Sequence, residues 1–143
     1  MKRKHTHIGC YGIITNNNKI ALIKKARGGY LGKLDLPGGG IEHKESPEET
    51  LKRELMEEVG GIIKDYKLLS VKDSNIVWRV KDNFYEDLHH IGILYLVNIK
   101  NDIRKTPDGI DSNGADWYDI DKVDISNLTP FAKYAITYLK NNK

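Results

Sequence analysis

At 143 residues the chain has the length of one ordinary domain, enough for a single core and too short for a second catalytic unit, so residues 1–143 are read as one domain. A composition of 39% hydrophobic and 30% charged residues excludes disorder and a membrane-embedded chain, and the longest apolar stretch, residues 91–97, is far below a membrane span. The net charge of +3 is modest for a nucleic-acid binder, which makes such a partner unlikely as an expectation, yet the charge is unevenly spread. Residues 42–58 hold seven glutamates against Lys44, Lys52 and Arg53, a local −4 that leaves +7 for the rest. A concentrated acidic spot on a mildly basic chain suits a site that gathers divalent cations and then receives a phosphate-bearing ligand.

Met1-Lys2-Arg3-Lys4 is followed by histidines and an alternating segment rather than an apolar run, so no secretory signal is read and a cytoplasmic location is expected. The lone Cys10 excludes an intrachain disulfide and a cysteine-based zinc framework, and its place in an apolar alternation marks it as a small core residue.

In chain order, residues 6–15 alternate as a strand, with His7, Gly9, Tyr11 and Ile13 on one face. Asn16-Asn17-Asn18 is a turn signal and residues 19–25 a returning strand. A glycine-punctuated loop at 28–33 then leads through Leu34-Asp35-Leu36 into Pro37-Gly38-Gly39-Gly40. A helix is predicted over 47–59: Ser46 is its N-cap, Pro47 its first residue, Glu49 closes a capping box and Gly60 follows the last turn. Leu51, Leu55 and Val59 give it a core-facing stripe. Residues 66–71 and 76–80 read as two strands, and residues 91–99, apolar on both faces, as a central one. A polar loop over 101–116 precedes a short strand at Trp117-Tyr118. Thr129-Pro130 opens a final helix whose shared face is Phe131, Tyr134, Ala135, Tyr138 and Leu139. This order points to an α/β or α+β layered fold with a mixed sheet.

Glu54, Glu57 and Glu58 stand at i, i+3 and i+4 of the predicted helix, so their carboxylates reach a common point. At ~6 Å and an effective dielectric near 20, each pair repels by roughly 2–3 kcal/mol, and two of them lie near the negative end of the helix dipole. Mg²⁺ or Mn²⁺ would remove that repulsion; exposed helix-forming glutamates are the alternative, and these three residues alone leave both readings open. Lys24, Lys25 and Arg27, beside the glycine loop, could hold substrate phosphates, although strand-end cations are commonly only solvated. His89 and His90, ahead of a buried strand, read as partly buried structural residues that could otherwise reach a base or ribose, and Trp78, Phe84 and Tyr85 as core aromatics that could otherwise stack a base.

The longer pattern narrows the choice. From Gly39, five residues lead to Glu45, and seven more to Arg53-Glu54-Leu55-Met56-Glu57-Glu58-Val59-Gly60. This closely resembles the Nudix box of the family that includes MutT-like pyrophosphohydrolases, spanning Gly39 to Gly61. One departure is Gly61 at the usually aliphatic closing position, with Ile62 just beyond. The resemblance implies an α/β/α sandwich across most of the chain. It implies Glu57 and Glu58 as metal ligands with the Gly38 carbonyl, Glu54 as a further ligand or the base, Arg53 holding the glutamates, and Glu45 pairing inward. Family members often add a carboxylate before the last strand; Asp111 is the best match, with Asp116 and Glu86 as substitutes. The implied chemistry is attack of metal-bound water on a phosphoanhydride of a nucleoside diphosphate linked to another group: a nucleoside triphosphate, ADP-ribose or a nucleotide sugar. A non-catalytic nucleotide sensor and an RNA-end pyrophosphohydrolase are the alternatives. A homodimer is left open by the family's frequent dimerisation.

Overall fold

The structure, a computed structural model, describes residues 2–108 and 112–142. Its first strand, β1 (Lys2–Asn16), turns into β2 (Lys19–Lys25) through Asn17 and Asn18. Both asparagines have positive φ (49° and 63°), the conformation a two-residue hairpin requires and asparagine tolerates. Two short strands, β3 (Leu34–Asp35) and β4 (Gly38–Gly40), precede α1 (Pro47–Val59), followed by β5 (Ile63–Lys81), β6 (Phe84–Ile99), β7 (Ser112–Asp119) and α2 (Pro130–Asn141).

The sheet is mixed. Its path runs β3-β2-β1-β6-β5, with β4 on β1 and β7 on β2. β1 and β6 are parallel, from Lys2 opposite Tyr85 to Ile14 opposite Val97, while β5 and β6 form a long antiparallel hairpin. Because neighbouring strand residues face opposite ways, β1 feeds two cores. Cys10 and Ile14 pack with Leu51, Leu55 and Val59 of α1; Tyr11 and Ile13 pack with Phe131, Ala132 and Ala135 of α2. The layering is therefore helix, sheet, helix, as expected. Burial pushes the Cys10 thiol up to about 11, consistent with an inert core residue.

Three details differ from the sequence reading. The two strands at 66–71 and 76–80 are one 19-residue strand, since the polar segment between them pairs with β6 from Gly92 to His89. As the sheet's terminal strand, β5 tolerates polar residues that periodicity reads as a break. β7 begins at Ser112, inside the expected loop, because it adds to β2 (Ala115 opposite Ile23). The buried face of α2 is Phe131, Ala132, Ala135 and Ile136, rotated from the expected one, with Tyr134 and Leu139 only flanking the core.

Candidate active site

The site begins with the start of α1. Ser46 accepts the Glu49 amide and the Glu49 carboxylate accepts the Ser46 amide, closing the capping box, and Gly60 ends the helix in the left-handed region. That register buries Leu51, Leu55 and Val59 and brings Glu54 and Glu58 along the adjoining edge.

Arg53 is the hub. Its Nε donates to Glu45 Oε2 (2.7 Å), its Nη2 to Glu45 Oε1 (2.9 Å) and to the Gly40 carbonyl (3.1 Å), and its Nη1 to Glu54 Oε1 (2.8 Å). The bidentate pair fixes the guanidinium plane. Thr50 Oγ1 (2.5 Å) and the Glu42 amide (3.2 Å) complete the shell around Glu45 Oε1. The Arg53 bonds come first in holding the Glu45 carboxyl down at about 2. Glu57 is more weakly held, with Nη1 of Arg53 at 3.3 Å from Oε2 and a side chain 59% exposed.

Beneath these carboxylates runs the glycine turn. Gly38 has φ +148°, and a Cβ there would overlap the Cys10 carbonyl oxygen; one on Gly39 would overlap the Glu54 carboxylate. Only glycine allows this backbone to lie against the helix. The Gly38 amide donates to Glu58 Oε1 at 3.1 Å. Glu58 is 4% exposed, and burial pushes its carboxyl up to about 8, with the Asp35 and Glu54 charges adding to the rise against the opposing effects of that amide and Lys25.

Glu54, Glu58 and the Gly38–Gly40 backbone line one cleft of about 200 Å³, with Lys25, Arg27, His7, Tyr11 and Asp35 completing its walls. A larger depression of about 580 Å³ lies at residues 98–102, Thr15 and Trp117. Its one acid, Asp102, is engaged by Trp117 Nε1 and the Ile103 amide, so we place the chemistry in the smaller cleft.

The structure thus brings together Arg53, Glu45, Glu54, Glu58, Gly38, Lys25 and Arg27. It does not bring Lys24, which is exposed at the irregularity between Ile23 and Lys25 in the β2–β7 pairing. Asp111 lies outside the described residues. Of its substitutes, Glu86 is taken up by Arg3, His5 and Trp78, and Asp116 pairs with Lys105; neither lines the cleft. Trp78 is accordingly tied to Glu86 rather than placed in either core.

Sequence reading missed three cleft residues. His7 and Tyr11 share one face of β1, a signal present in the period-two alternation. Asp35, 5% exposed between two leucines, is fixed through Oδ1 by Thr129 Oγ1 (2.6 Å) and the Leu36 amide (2.8 Å). A buried acid in a two-residue strand has no local signature.

The carboxylate and carbonyl groups at the cleft are hard oxygens, and Glu58 is a buried carboxylate whose hydrogen-bond donor among the described residues is a single amide, so the residues fit a divalent cation. Among the described residues no three acidic, imidazole or thiol side chains stand close enough to chelate an ion unaided. The hold of Arg53 on Glu54 and the exposure of Glu57 account for this.

A NUDIX domain model matches residues 3–139. Over 119 residues the chain is 33% identical to an ADP-ribose pyrophosphatase of Methanocaldococcus jannaschii, covering 83% of this chain and 65% of that one. Over 51 residues it is 49% identical to an 8-oxo-dGTP diphosphatase of Escherichia coli, covering 34% of this chain and 40% of the relative. The chain therefore spans less than two thirds of either relative's length. Among solved structures it is similar to a MutT NUDIX hydrolase from Burkholderia pseudomallei, with a TM-score of 0.76 and 25% identity over 93% of this chain and 97% of that one.

Proposed function

The chain belongs to the Nudix family, and on that premise we propose that it is a hydrolase. It splits a phosphoanhydride bond in a nucleoside diphosphate linked to another group: a nucleoside triphosphate, ADP-ribose or a nucleotide sugar. The observation that carries this reading is one cleft in which Glu54 and Glu58 face Lys25 and Arg27. Carboxylates for a cation and cations for phosphates line the same cleft.

In this reading Glu57, Glu58 and the Gly38 carbonyl would hold Mg²⁺, or Mn²⁺ in its place, Glu54 would be a further ligand or the base for the attacking water, and Asp111 is a candidate ligand from outside the box. Such a cation would supply neutralising charge for the phosphoryl oxygens and lower the pKa of water. Arg53 keeps Glu54 at a fixed angle and Glu45 keeps Arg53. Lys25 and Arg27 hold the substrate's phosphate oxygens, and Lys24 contributes charge at longer range. We read residues 1–143 as one such domain, working in the cytoplasm, with a homodimer as its candidate assembly. Among the described residues no helix is long and apolar enough to cross a membrane.

The test is release of phosphate, pyrophosphate or nucleoside monophosphate from nucleoside triphosphates, ADP-ribose, dinucleoside polyphosphates and nucleotide sugars, with Mg²⁺, Mn²⁺ or EDTA. Turnover of one class that EDTA abolishes supports the assignment. Binding without turnover across the panel replaces it with a sensor.

A further inference from the structure

Past the start of α1, strands β1, β6 and β5 run on together as an arm, from the row Cys10, Ile93 and Val71 out to the row Lys2, Tyr85 and Arg79. Its two faces differ. On one, Ile76 and Trp78 are half-buried against Gly29, and Tyr30 Oη lies 3.4 Å from Ser74 Oγ. The other face continues the α1 core outward, because alternate residues of a strand share a face. There Val71, Asp73, Asn75, Val77 and Arg79 are all exposed.

This open face carries its apolar and charged groups in separate bands. Nearest α1, Ile8 lies between Ile91 and Ile41, whose amide donates to the Ile8 carbonyl, and the next row sets Ile93 opposite Val71. Ile8 is 44% exposed and Val71 58%, so the band is a contiguous apolar patch in solvent rather than a single stray side chain. The tip is cationic: Lys2, Lys4 and Arg79 stand against Asp87, and none of the three has an ion-pair partner among the described residues. The α1 end is acidic. Burial first, then the Glu48 charge, raises both the Cys10 thiol and the Tyr95 phenol, which sets Glu48 over this end of the sheet. Glu49 follows it and Glu42 follows Ile41, against Lys44. Lys52, a turn later, is drawn toward the Tyr66 ring, 6.0 Å from its centroid.

We infer that this open face is where a second copy of the chain docks, sheet on sheet, with the two-fold axis crossing the strands at the row Thr6, His89 and Asn75. Such an axis reverses strand direction between the copies. Val77 and Tyr85 of one copy then cover Ile8, Ile91, Ile93 and Val71 of the other, across the roughly 10 Å at which sheets pack. Lys2 and Arg79 at each tip reach Glu42, Glu48 and Glu49 at the start of the other copy's α1. A face with an acidic end, an apolar middle and a basic end is complementary to itself when reversed, and that commits it to its own copy. The free edge of β5 is a poorer surface: its pairing is irregular at Ile63/Asp65, Leu68/Ser70 and Arg79/Lys81, and Lys64, Lys67, Lys72 and Lys81 lie along it. At about 3.3 Å per residue and 4.8 Å per strand, the face measures roughly 26 by 14 Å. That is the small end of specific interfaces, so dissociation around the micromolar range is expected. The inference gives the candidate homodimer its surface and stands apart from the hydrolase reading.

The test is sedimentation equilibrium of the intact protein from about 1 to 200 μM, with Val71→Lys, Arg79→Glu and Glu48→Lys beside the wild type and each variant checked for folding by its melting curve. The wild type is expected to pass from monomer to dimer within that range. Val71→Lys, a change at an exposed strand position, is expected to weaken the dimer at least about tenfold by placing a cation in the apolar band opposite the other copy's tip. Arg79→Glu and Glu48→Lys are each expected to weaken it by roughly three- to tenfold, since each sets like charges against one another at both ends. An equimolar mixture of those two variants restores opposite charges at both ends and is expected to recover the wild-type dissociation constant. A wild type that stays monomeric throughout overturns the inference. So does a dimer that Val71→Lys leaves intact, which would put the contact elsewhere, or a mixture no tighter than either variant alone.

Discussion

Glu58 and Arg53 show how single side chains trade stability for a site. Glu58 is buried against a glycine turn with one amide donor among the described residues, an arrangement that costs folding energy and that the proposed cation would offset. Glu58→Gln keeps the shape and removes the charge. It is expected to lower kcat by roughly 10² to 10⁴, to raise the cation-free melting temperature by a few degrees, and to lack the further rise that Mg²⁺ is expected to give the wild type. Calorimetric melting with EDTA and with Mg²⁺ checks it; wild-type turnover would remove Glu58 from the ligand set. Arg53 depends on its fork, two nitrogens on Glu45 and one on Glu54. Lysine offers a point charge in its place, so Arg53→Lys is expected to fold while cation affinity or kcat falls about 10- to 100-fold. Unchanged cation half-saturation together with unchanged kcat would show that Arg53 positions nothing.

At the level of elements, α1 is stabilised by signals a few residues apart. Ser46→Ala deletes the acceptor for the Glu49 amide. About 1 kcal/mol of stability should go, a fall of roughly 2–6 °C in Tm, with kcat within about threefold because Arg53 still holds Glu45 by two bonds. A thermal melt and a rate on the same sample decide it; a large loss of rate at unchanged Tm would mean that Ser46 acts on the site directly. The same locality made α1 legible: caps, proline and stripe predict residues 47–59, and the helix is Pro47–Val59. β2 was equally legible, bounded by its asparagine turn. β5 was not, because what makes Lys72, Asp73 and Ser74 strand is the length of β6 beside them, a non-local fact. The site divides in the same way. Arg53, Glu54, Glu57 and Glu58 share one helix and stand together in the sequence as part of one longer pattern; Asp35, His7 and Tyr11 reach the cleft from other strands, and only the sheet's register brings them there.

Over the whole molecule, β1 joins these pieces, since its alternate residues enter both cores while His7 and Tyr11 line the cleft. This ties acid stability to the ring cluster. His90 is faced by Tyr11 and His7 from β1, by Lys25 from β2 and by Phe131 from α2, and its folded pKa of about 4 lies below the ordinary 6.5. A base with a depressed folded pKa binds its proton more readily unfolded. The stability it allows is therefore complete above about pH 6.5 and lost as pH falls toward 4. Glu45, held at about 2 by Arg53, adds acid loss in a lower window, beginning below its ordinary 4.5. Glu58, whose carboxyl is pushed up to about 8, has the opposite sign and gains stability as pH falls through the same window, so the His90 limb is read as the difference between the wild type and His90→Gln in denaturant unfolding at half-unit steps from pH 7 to 3. That difference should grow as pH falls from about 6.5 toward 4, while the Glu45 limb is common to both proteins. Superimposable profiles for the two proteins would mean that His90 titrates freely, and the buried Tyr11–His90 pair could not then be what fixes the ring.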